Sequence, residues 1–571
     1  MRIKDFCKDR KNQIITAVFL ITVFIACMPL ISRNCINGHD LEYHLLRIES
    51  LKEGMRMGKP FLKINTLFFG GAGYASSMFY PDFLLYIPAF LRLIGFSINA
   101  SYHIFVAICI ILTYLSAYYC VKGITGSVYG AMIGAITLSL CQYHLDDIYV
   151  RSAVGEYTAF IFIPLVIYAV FNILYENADK PQLFILGYSG LLLCHTATFF
   201  MCTLFGLAAI LLNFKKTILN KGILIRLVIM TGVTLLLTGF YWIPMLEQFL
   251  HTVFYVNTPW MQPKDEAVGF LNIFGNSFPS LGCICVLMLI PRIFIKKGSD
   301  PNEGNEAILG YADLLILSGA LFTILASDII PWERIGRYAS FIQFPWRFFI
   351  MGSVLFSMAA GLIYGSLNKN DDEMTEFLTV KGNTRAVNAA AVILTFILVI
   401  NGISAFGAIK NGSQGYYDYS DDYYSFKPYT ANVIAGEWLP ETVRDKERLV
   451  DDSEIMLSDK GSKIDFVRVK NTIEADITGD LEYADVPFIY YLGYRAELIK
   501  PDGSRTLLKI TGEGNNGMCR VYLKDMGNGR LKVYYRNTLL SEVSIYASLI
   551  SLVVMIIICI KHGRTRLEKG N

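Results

Sequence analysis

The feature that most constrains this chain is the recurrence of apolar runs long enough to cross a bilayer. About 30 Å of hydrocarbon requires roughly 17–25 residues of helix. Apolar stretches of about that length fall near 13–31, 80–96, 99–120, 127–143, 157–172, 182–194, 197–213, 223–248, 272–290, 307–329, 346–365, 388–409 and 542–560. In hydrocarbon, a spanning segment must satisfy its own backbone donors and acceptors. The runs therefore predict a polytopic α-helical membrane protein with about 11–13 hydrophobic helices. Composition agrees, since only 17% of the 571 residues are charged where soluble proteins carry about a quarter. The net charge of +3 gives no reason to expect a nucleic-acid partner. Most of the 12 cysteines sit in apolar runs and read as small hydrophobes. Cys519 stands alone in a polar region, and Cys283 and Cys285 lie in an apolar context, so neither a disulfide framework nor a cysteine metal site is expected. No cofactor is expected, and divalent-metal dependence stays open.

Lys and Arg collect on cytoplasmic loops. On that rule MRIKDFCKDRK, FKKTILNKG (214–222), PRIFIKKG (291–298), the 366–385 loop and the tail KHGRTRLEK read as cytoplasmic, with both termini inside and an uncleaved first helix. Two topologies satisfy this. In one, 80–96 spans and 181–213 is a single helix of about 50 Å. In the other, 80–96 lies on the outer surface and 181–213 is a hairpin that turns near His195, which places YHLDDIYVRSAVGE (143–156) outside. The expected domains are a membrane domain at 1–409 (first outer loop 32–98), an extracytoplasmic β-rich domain at 410–541, and a last helix with a basic tail at 542–571. Within the β-rich part, Ile464 and Phe466 share strand period, as do Val467 and Val469, with a phase change between the pairs. A bulge or burial on both faces would explain it. Gly527-Asn528-Gly529, between two alternating runs, predicts a hairpin.

The stretch NGHDLEYHLLRIESLKEG (37–54) packs charge directly after the first apolar run. Leu41, Leu45 and Ile48 share one helical face, with Asp40, His44 and Arg47 on another. Asp40 is placed to be a general base for an acceptor hydroxyl. His39, His44 and Arg47 are placed to hold phosphate oxygens or tune that carboxylate, with Glu42 offset beside them. The alternative is an ordinary solvated interfacial helix. Other ionisable groups sit at predicted membrane edges, where they are either functional or snorkelling anchors. These are Arg151 and Glu156 in IYVRSAVGEYTAF, His195 in LLLCHTATFF, and Arg334, Arg337 and Arg347 in PWERIGRYASFIQFPWRFF. Arg347 is the expected ligand of a lipid phosphate. Tyr80 and Asp82 would shape the pocket. WMQPKDEAVG (260–269) would cover the cleft, with Glu247, Asp265 and Glu266 facing solvent.

GHDLEYHLLRIESLKEGMRMGKPFL resembles the first outer loop of GT-C membrane glycosyltransferases, with Asp40 at the catalytic acid position and Gly58-Lys59-Pro60 at the turn. YPDFLLYIPAFLRLIGFSINA resembles their juxtamembrane helix, and IYVRSAVGEYTAF falls at their second outer acidic motif. GHD, the Arg151–Glu156 spacing, QFPWRF (with Gln343 and Trp346), GEWLP and VPFIYYLGYRAEL more specifically resemble the bacterial YfhO-type and "6-pyruvoyl-tetrahydropterin synthase-related" membrane proteins, over nearly the whole chain. The resemblance implies a GT-C fold in the cytoplasmic membrane of a bacterium-like cell. It implies transfer of a sugar, with inversion, from a polyprenyl-phosphate lipid to a cell-envelope glycan, teichoic-acid-like polymer or protein acceptor. A lipid-linked glycan transporter or flippase accessory, or a degenerate GT-C scaffold binding envelope glycans, is the rival expectation.

Overall fold

The computed structural model describes residues 3–257, 261–275, 277–295, 303–335, 342–367, 396, 399–400, 402, 415–419 and 436–569. Among them, six helices are long and apolar enough to cross a membrane: Ile98–Thr125, Val154–Tyr175, Lys221–His251, Asn305–Leu325, Pro345–Leu367 and Leu539–Ile557. The chain is an integral membrane protein with a β-rich part preceding its last helix. Arg337 and most of 388–409 lie outside the described residues.

The two ambiguous segments take definite forms. In 80–96 the α-helix is only Tyr86–Leu93, about 12 Å long and too short to span. The 181–213 stretch is broken into Pro181–Leu192 and Thr196–Leu212. His195 sits between them in an extended conformation (φ −150°), and both helices pack on Ile163–Tyr175. The expected span at 272–290 is not a helix. Gly275, Pro279 and Gly282 interrupt it, leaving short turns at Phe270–Asn272 and Ile284–Leu287.

The chain forms two compact units. The first comprises 1–41, 102–234 and 261–418. At its centre lies helix Phe349–Leu367, buried along nearly its whole length. It packs against Glu303–Leu325 and Val128–Leu140. The approach to the latter is backbone to backbone: a Cβ on Gly130 would lie 2.5 Å from Gly361 O and from Gly365 Cα. Small residues at such crossings let helices associate in lipid, where hydrophobic burial drives nothing. Two short strands, β1 (Cys35–Ile36) and β2 (Tyr416–Tyr417), pair antiparallel in this unit.

The second unit comprises 42–101, 235–260 and 419–571. It differs from the expected 410–541 domain because residues of the first long loop join its core. Ile64, Phe68, Tyr74 and Met78 are buried with Ile473, Phe488, Leu498, Val521 and Val533 in one cluster. Among the described residues ten strands follow: β3 (Met456–Ser458), β4 (Lys463–Ile464), β5 (Phe466–Val469), β6 (Thr472–Ile477), β7 (Tyr483–Ile489), β8 (Tyr494–Ile499), β9 (Arg505–Leu508), β10 (Ile510–Thr511), β11 (Met518–Tyr522) and β12 (Gly529–Tyr535). They make two five-stranded sheets, ordered β10-β11-β7-β3-β4 and β5-β6-β12-β8-β9, with the shared core between them. The phase change after Phe466 falls inside β5 and is no bulge: Phe466 and Arg468 are half-buried while Val467 and Val469 lie on the exposed face of the same strand. β4 and β5 themselves belong to different sheets, and the chain crosses between them at Asp465. Nor is Gly527-Asn528-Gly529 a hairpin turn. It carries β11 of one sheet over to β12 of the other.

Candidate functional site

The site is assembled in the first unit around one buried carboxylate. After helix Val128–Leu140 and a short turn at Gln142–Asp146, the chain makes a π-helical turn at Asp147–Arg151 and stops it with Ser152 in the left-handed conformation (φ 54°). Such one-turn π segments concentrate at functional sites because the extra residue re-aims side chains. Here the turn delivers Arg151 inward. Its Nη1 donates to Glu156 Oε1 at 2.5 Å and to Asp147 Oδ1 at 3.2 Å, and its Nη2 reaches Asp40 Oδ2 at 3.4 Å. Glu156, on the first turn of Val154–Ala159, also accepts from Arg347 Nε at 3.0 Å and from the Tyr143 hydroxyl at 3.2 Å. One buried carboxylate therefore orients two guanidinium groups.

Backbone bonds bring Asp40 to this cluster. The His39 and Asp40 N–H groups donate to the carbonyls of Val150 (3.1 Å) and Arg151 (2.8 Å). Gly38 makes the approach possible, because a Cβ there would lie 2.2 Å from Ser152 Oγ. The Asp40 side chain stays 43% exposed while Glu156 is at 2%, so Asp40 is the carboxylate a substrate can reach. Gly38→Ala should push the 38–40 turn off its seat. A misplacement of about 1 Å at a reacting group costs on the order of a hundredfold in rate, and the double change Gly38→Ala with Ser152→Gly should recover part of whatever activity the single change removes in the same turnover assay.

Aromatic rings wall the cluster. The Arg151 guanidinium lies 4.4 Å over the Trp346 ring and that of Arg347 4.6 Å over Phe344, stacking that desolvates the cations without neutralising them. Phe278 meets Trp346 on one side and His39 on the other, edge to face. Trp346 Nε1 donates to Glu266 at 3.1 Å, so Glu266 is not the solvent-facing group expected. Glu247 is not one either, since it accepts from the Thr538 hydroxyl. Gln343, whose Oε1 is 3.4 Å from Arg347 Nη1, holds a left-handed backbone (φ 56°). A non-glycine residue held there costs about 1–3 kcal/mol.

Asp147 is a member of the site that the sequence reading left out. Burial and then the charge of Glu156 push its carboxyl well above the usual carboxylate range, against the opposing pull of Arg151. Its Oδ2 is buried and has no hydrogen-bond partner. In its protonated form it can donate a hydrogen bond to a substrate oxygen. His195 is buried as well, with Nδ1 2.8 Å from Thr198 Oγ1. Burial, opposed by Glu156, pushes its pKa down to about 4. The imidazole is neutral and serves as a hydrogen-bonding group.

The remaining predicted residues group elsewhere, in the second unit. Arg47 is fully buried on helix Leu41–Arg56. It donates to Asp82 and to the carbonyls of Tyr80 (3.1 Å) and Pro81 (2.8 Å), and lies 3.1 Å from His44 Nδ1. Tyr80 stacks on His44. Glu49, on the same helix, is held by Arg92. This is the interior of the loop's own fold: both terminal nitrogens of Arg47 are engaged and the side chain is shut off from solvent, with only its buried Nε unpartnered. Glu42 is half-buried on the same helix, and Arg334 is on the short helix Trp332–Ile335 of the first unit. Among the described residues no three His, Cys, Asp or Glu side chains are arranged to hold a metal ion.

No protein-family model matches the sequence, and no curated protein matches it. Among solved structures the chain is similar to the mycobacterial arabinofuranosyltransferase AftD, at 11% identity and TM-score 0.45 over 70% of this chain and 27% of that one. It is similar to the Archaeoglobus fulgidus oligosaccharyltransferase, at 12% and 0.41 over 69% and 56%. It is also similar to ArnT from Cupriavidus metallidurans, solved with undecaprenyl phosphate, at 11% and 0.42 over 70% and 77%. The chain thus spans about a quarter of AftD and just over half of the oligosaccharyltransferase.

Proposed function

We propose that this protein is a membrane glycosyltransferase of GT-C type that moves a sugar from a polyprenyl-phosphate lipid to a cell-envelope acceptor on the outer face. The observation that carries the reading is the pairing of a reachable carboxylate with two oriented arginines. Asp40 stands 3.4 Å from Arg151, and Glu156 holds Arg151 and Arg347 together. Two guanidinium groups that share the one Glu156 carboxylate suit a phosphate. Arg347, 20% exposed, meets the donor phosphate first, and Arg151 supports it.

The acceptor hydroxyl approaches the anomeric carbon from the Asp40 side. As the new C–O bond forms, Asp40 takes the hydroxyl proton and the bond from the anomeric carbon to the phosphate oxygen breaks. The electron pair leaves with the phosphate, where the two guanidinium groups neutralise the added charge. Because phosphate is a fair leaving group, positioning and charge neutralisation supply most of the rate. The attack is written as inverting, as the GT-C resemblance implies.

The test is transfer by purified protein in lipid, with a panel of radiolabelled polyprenyl-phosphate sugars and crude envelope acceptor. At least one donor should label the acceptor. Arg347→Ala should weaken use of that donor by about 10- to 100-fold in kcat/KM, the loss of a charge-assisted bond worth roughly 1.5–3 kcal/mol. Folded protein that transfers from no donor, yet binds the lipid phosphate, would turn the reading toward a lipid-glycan transporter.

A further inference from the structure

The β-rich unit carries a cleft of about 1000 Å³ that the transfer chemistry leaves unused. Residues 251–253, 440–452 and 511–517 bound it, together with Tyr490.

Its rim is built from interlocking parts. The Asn516 carboxamide oxygen accepts the backbone N–H groups of Arg444 (3.0 Å) and Asp445 (2.9 Å), and its nitrogen donates to Asp445 O (2.7 Å) and Asp452 Oδ2 (2.9 Å). One side chain thus fastens two loops. At Gly517 these loops touch through their backbones, since a Cβ there would lie 2.7 Å from Val443 N. Gly512 lies against the Tyr490 ring, where a Cβ would be 2.9 Å from Cδ1. A side chain at 512 would drive the ring out of its place in the cleft wall.

The lining selects a ligand class. Four carboxylates, Glu441, Asp445, Asp452 and Glu513, line the cleft together with two arginines, Arg444 and Arg448, and Arg448 is itself 3.5 Å from Asp452. Acid exceeds permanent base, so a polyanion is repelled. An apolar ligand would take water from these charged groups and offer them no hydrogen bond in return. A chain of hydroxyls satisfies it: sugar hydroxyls donate to carboxylates and accept from guanidinium and amide groups, and a sugar face lies on the tyrosine ring. The volume is at the top of the roughly 300–1000 Å³ range of small-molecule sites, which favours several linked rings over one.

We propose that this cleft binds a neutral stretch of glycan and so holds the acceptor polymer on the protein that modifies it. The proposal rests on the transfer reading above for the identity of that polymer as acceptor. The test is direct binding to the full chain in lipid nanodiscs. The probes are linear hexasaccharides of glucose, mannose and N-acetylglucosamine, with a poly(glycerol phosphate) of similar length beside them. At least one neutral hexasaccharide should bind. Tyr490→Ala should weaken it about tenfold, the scale of a lost aromatic contact, while Tyr490→Phe should bind as wild type. Asn515→Ala, which changes an exposed cleft residue, should weaken binding without lowering the melting temperature. Saccharide binding by protein that transfers no sugar would keep the cleft and count against the transferase. Transfer-active protein that binds no neutral hexasaccharide, binds only the poly(glycerol phosphate), or binds equally well with Tyr490→Ala would overturn the proposal.

Discussion

Asp40→Asn is expected to lower kcat for glycosyl transfer by at least about a hundredfold, the usual scale for a lost general base, while leaving donor KM nearly unchanged. The substitution keeps the shape and a side-chain oxygen, so the contact with Arg151 Nη2 survives. What disappears is the capacity to take a proton. Because the carboxylate is 43% exposed, its loss should leave the melting temperature close to that of wild type. Steady-state kinetics on the two proteins, with melting curves beside them, would read the split. A loss confined to KM would make Asp40 a binding group. Undiminished transfer would move the base elsewhere.

The second large effect is expected at Glu156. Its carboxylate accepts from Arg151, Arg347 and Tyr143 while 2% exposed. Glu156→Ala leaves two guanidinium groups and a buried phenol hydroxyl short of an acceptor. Removing one partner of a buried ion pair costs about 3–5 kcal/mol, and here a single carboxylate serves two cations. The variant should melt well below wild type and transfer no sugar. Glu156→Gln should fall between, because it keeps an acceptor oxygen and loses the charge. An alanine variant as stable and active as wild type would mean that Glu156 does not organise the arginines.

The sequence and the structure part company where the deciding partner is far along the chain. Asp40, Arg151, Glu156 and Arg347 were legible because ionisable groups beside apolar runs are costly and stand out. Their meeting was not legible, since it depends on Gly38 seating against Ser152 and on backbone bonds from His39 and Asp40 to the 150–151 carbonyls. Arg47 shares the helical period of Asp40 and His44, and so looked like a substrate ligand. Its partner is Asp82, 35 residues on, and no local pattern reveals that. Asp147 stands four residues before Arg151, a spacing visible in the sequence that does not by itself tell a site residue from a local ion pair. In the β-rich unit the alternation at 463–469 marked strands correctly. Alternation reports which face of a strand is buried and not which sheet it joins, so β4 and β5 read as one element. For the same reason Gly527-Asn528-Gly529 read as a hairpin. The break of 181–213 at His195 was visible as a polar interruption of an over-long apolar run.

The central claim is that a lipid phosphate sits against Arg347 and Arg151 with its sugar turned toward Asp40. The most direct test is a structure of the protein in lipid with a non-transferable polyprenyl-phosphonate sugar. The expected result is a phosphonate oxygen within about 3 Å of the Arg347 guanidinium, the usual length of a charge-assisted bond, with the anomeric carbon on the Asp40 side of it. Phosphonate bound away from both arginines, or a sugar pointing away from Asp40, would contradict the account.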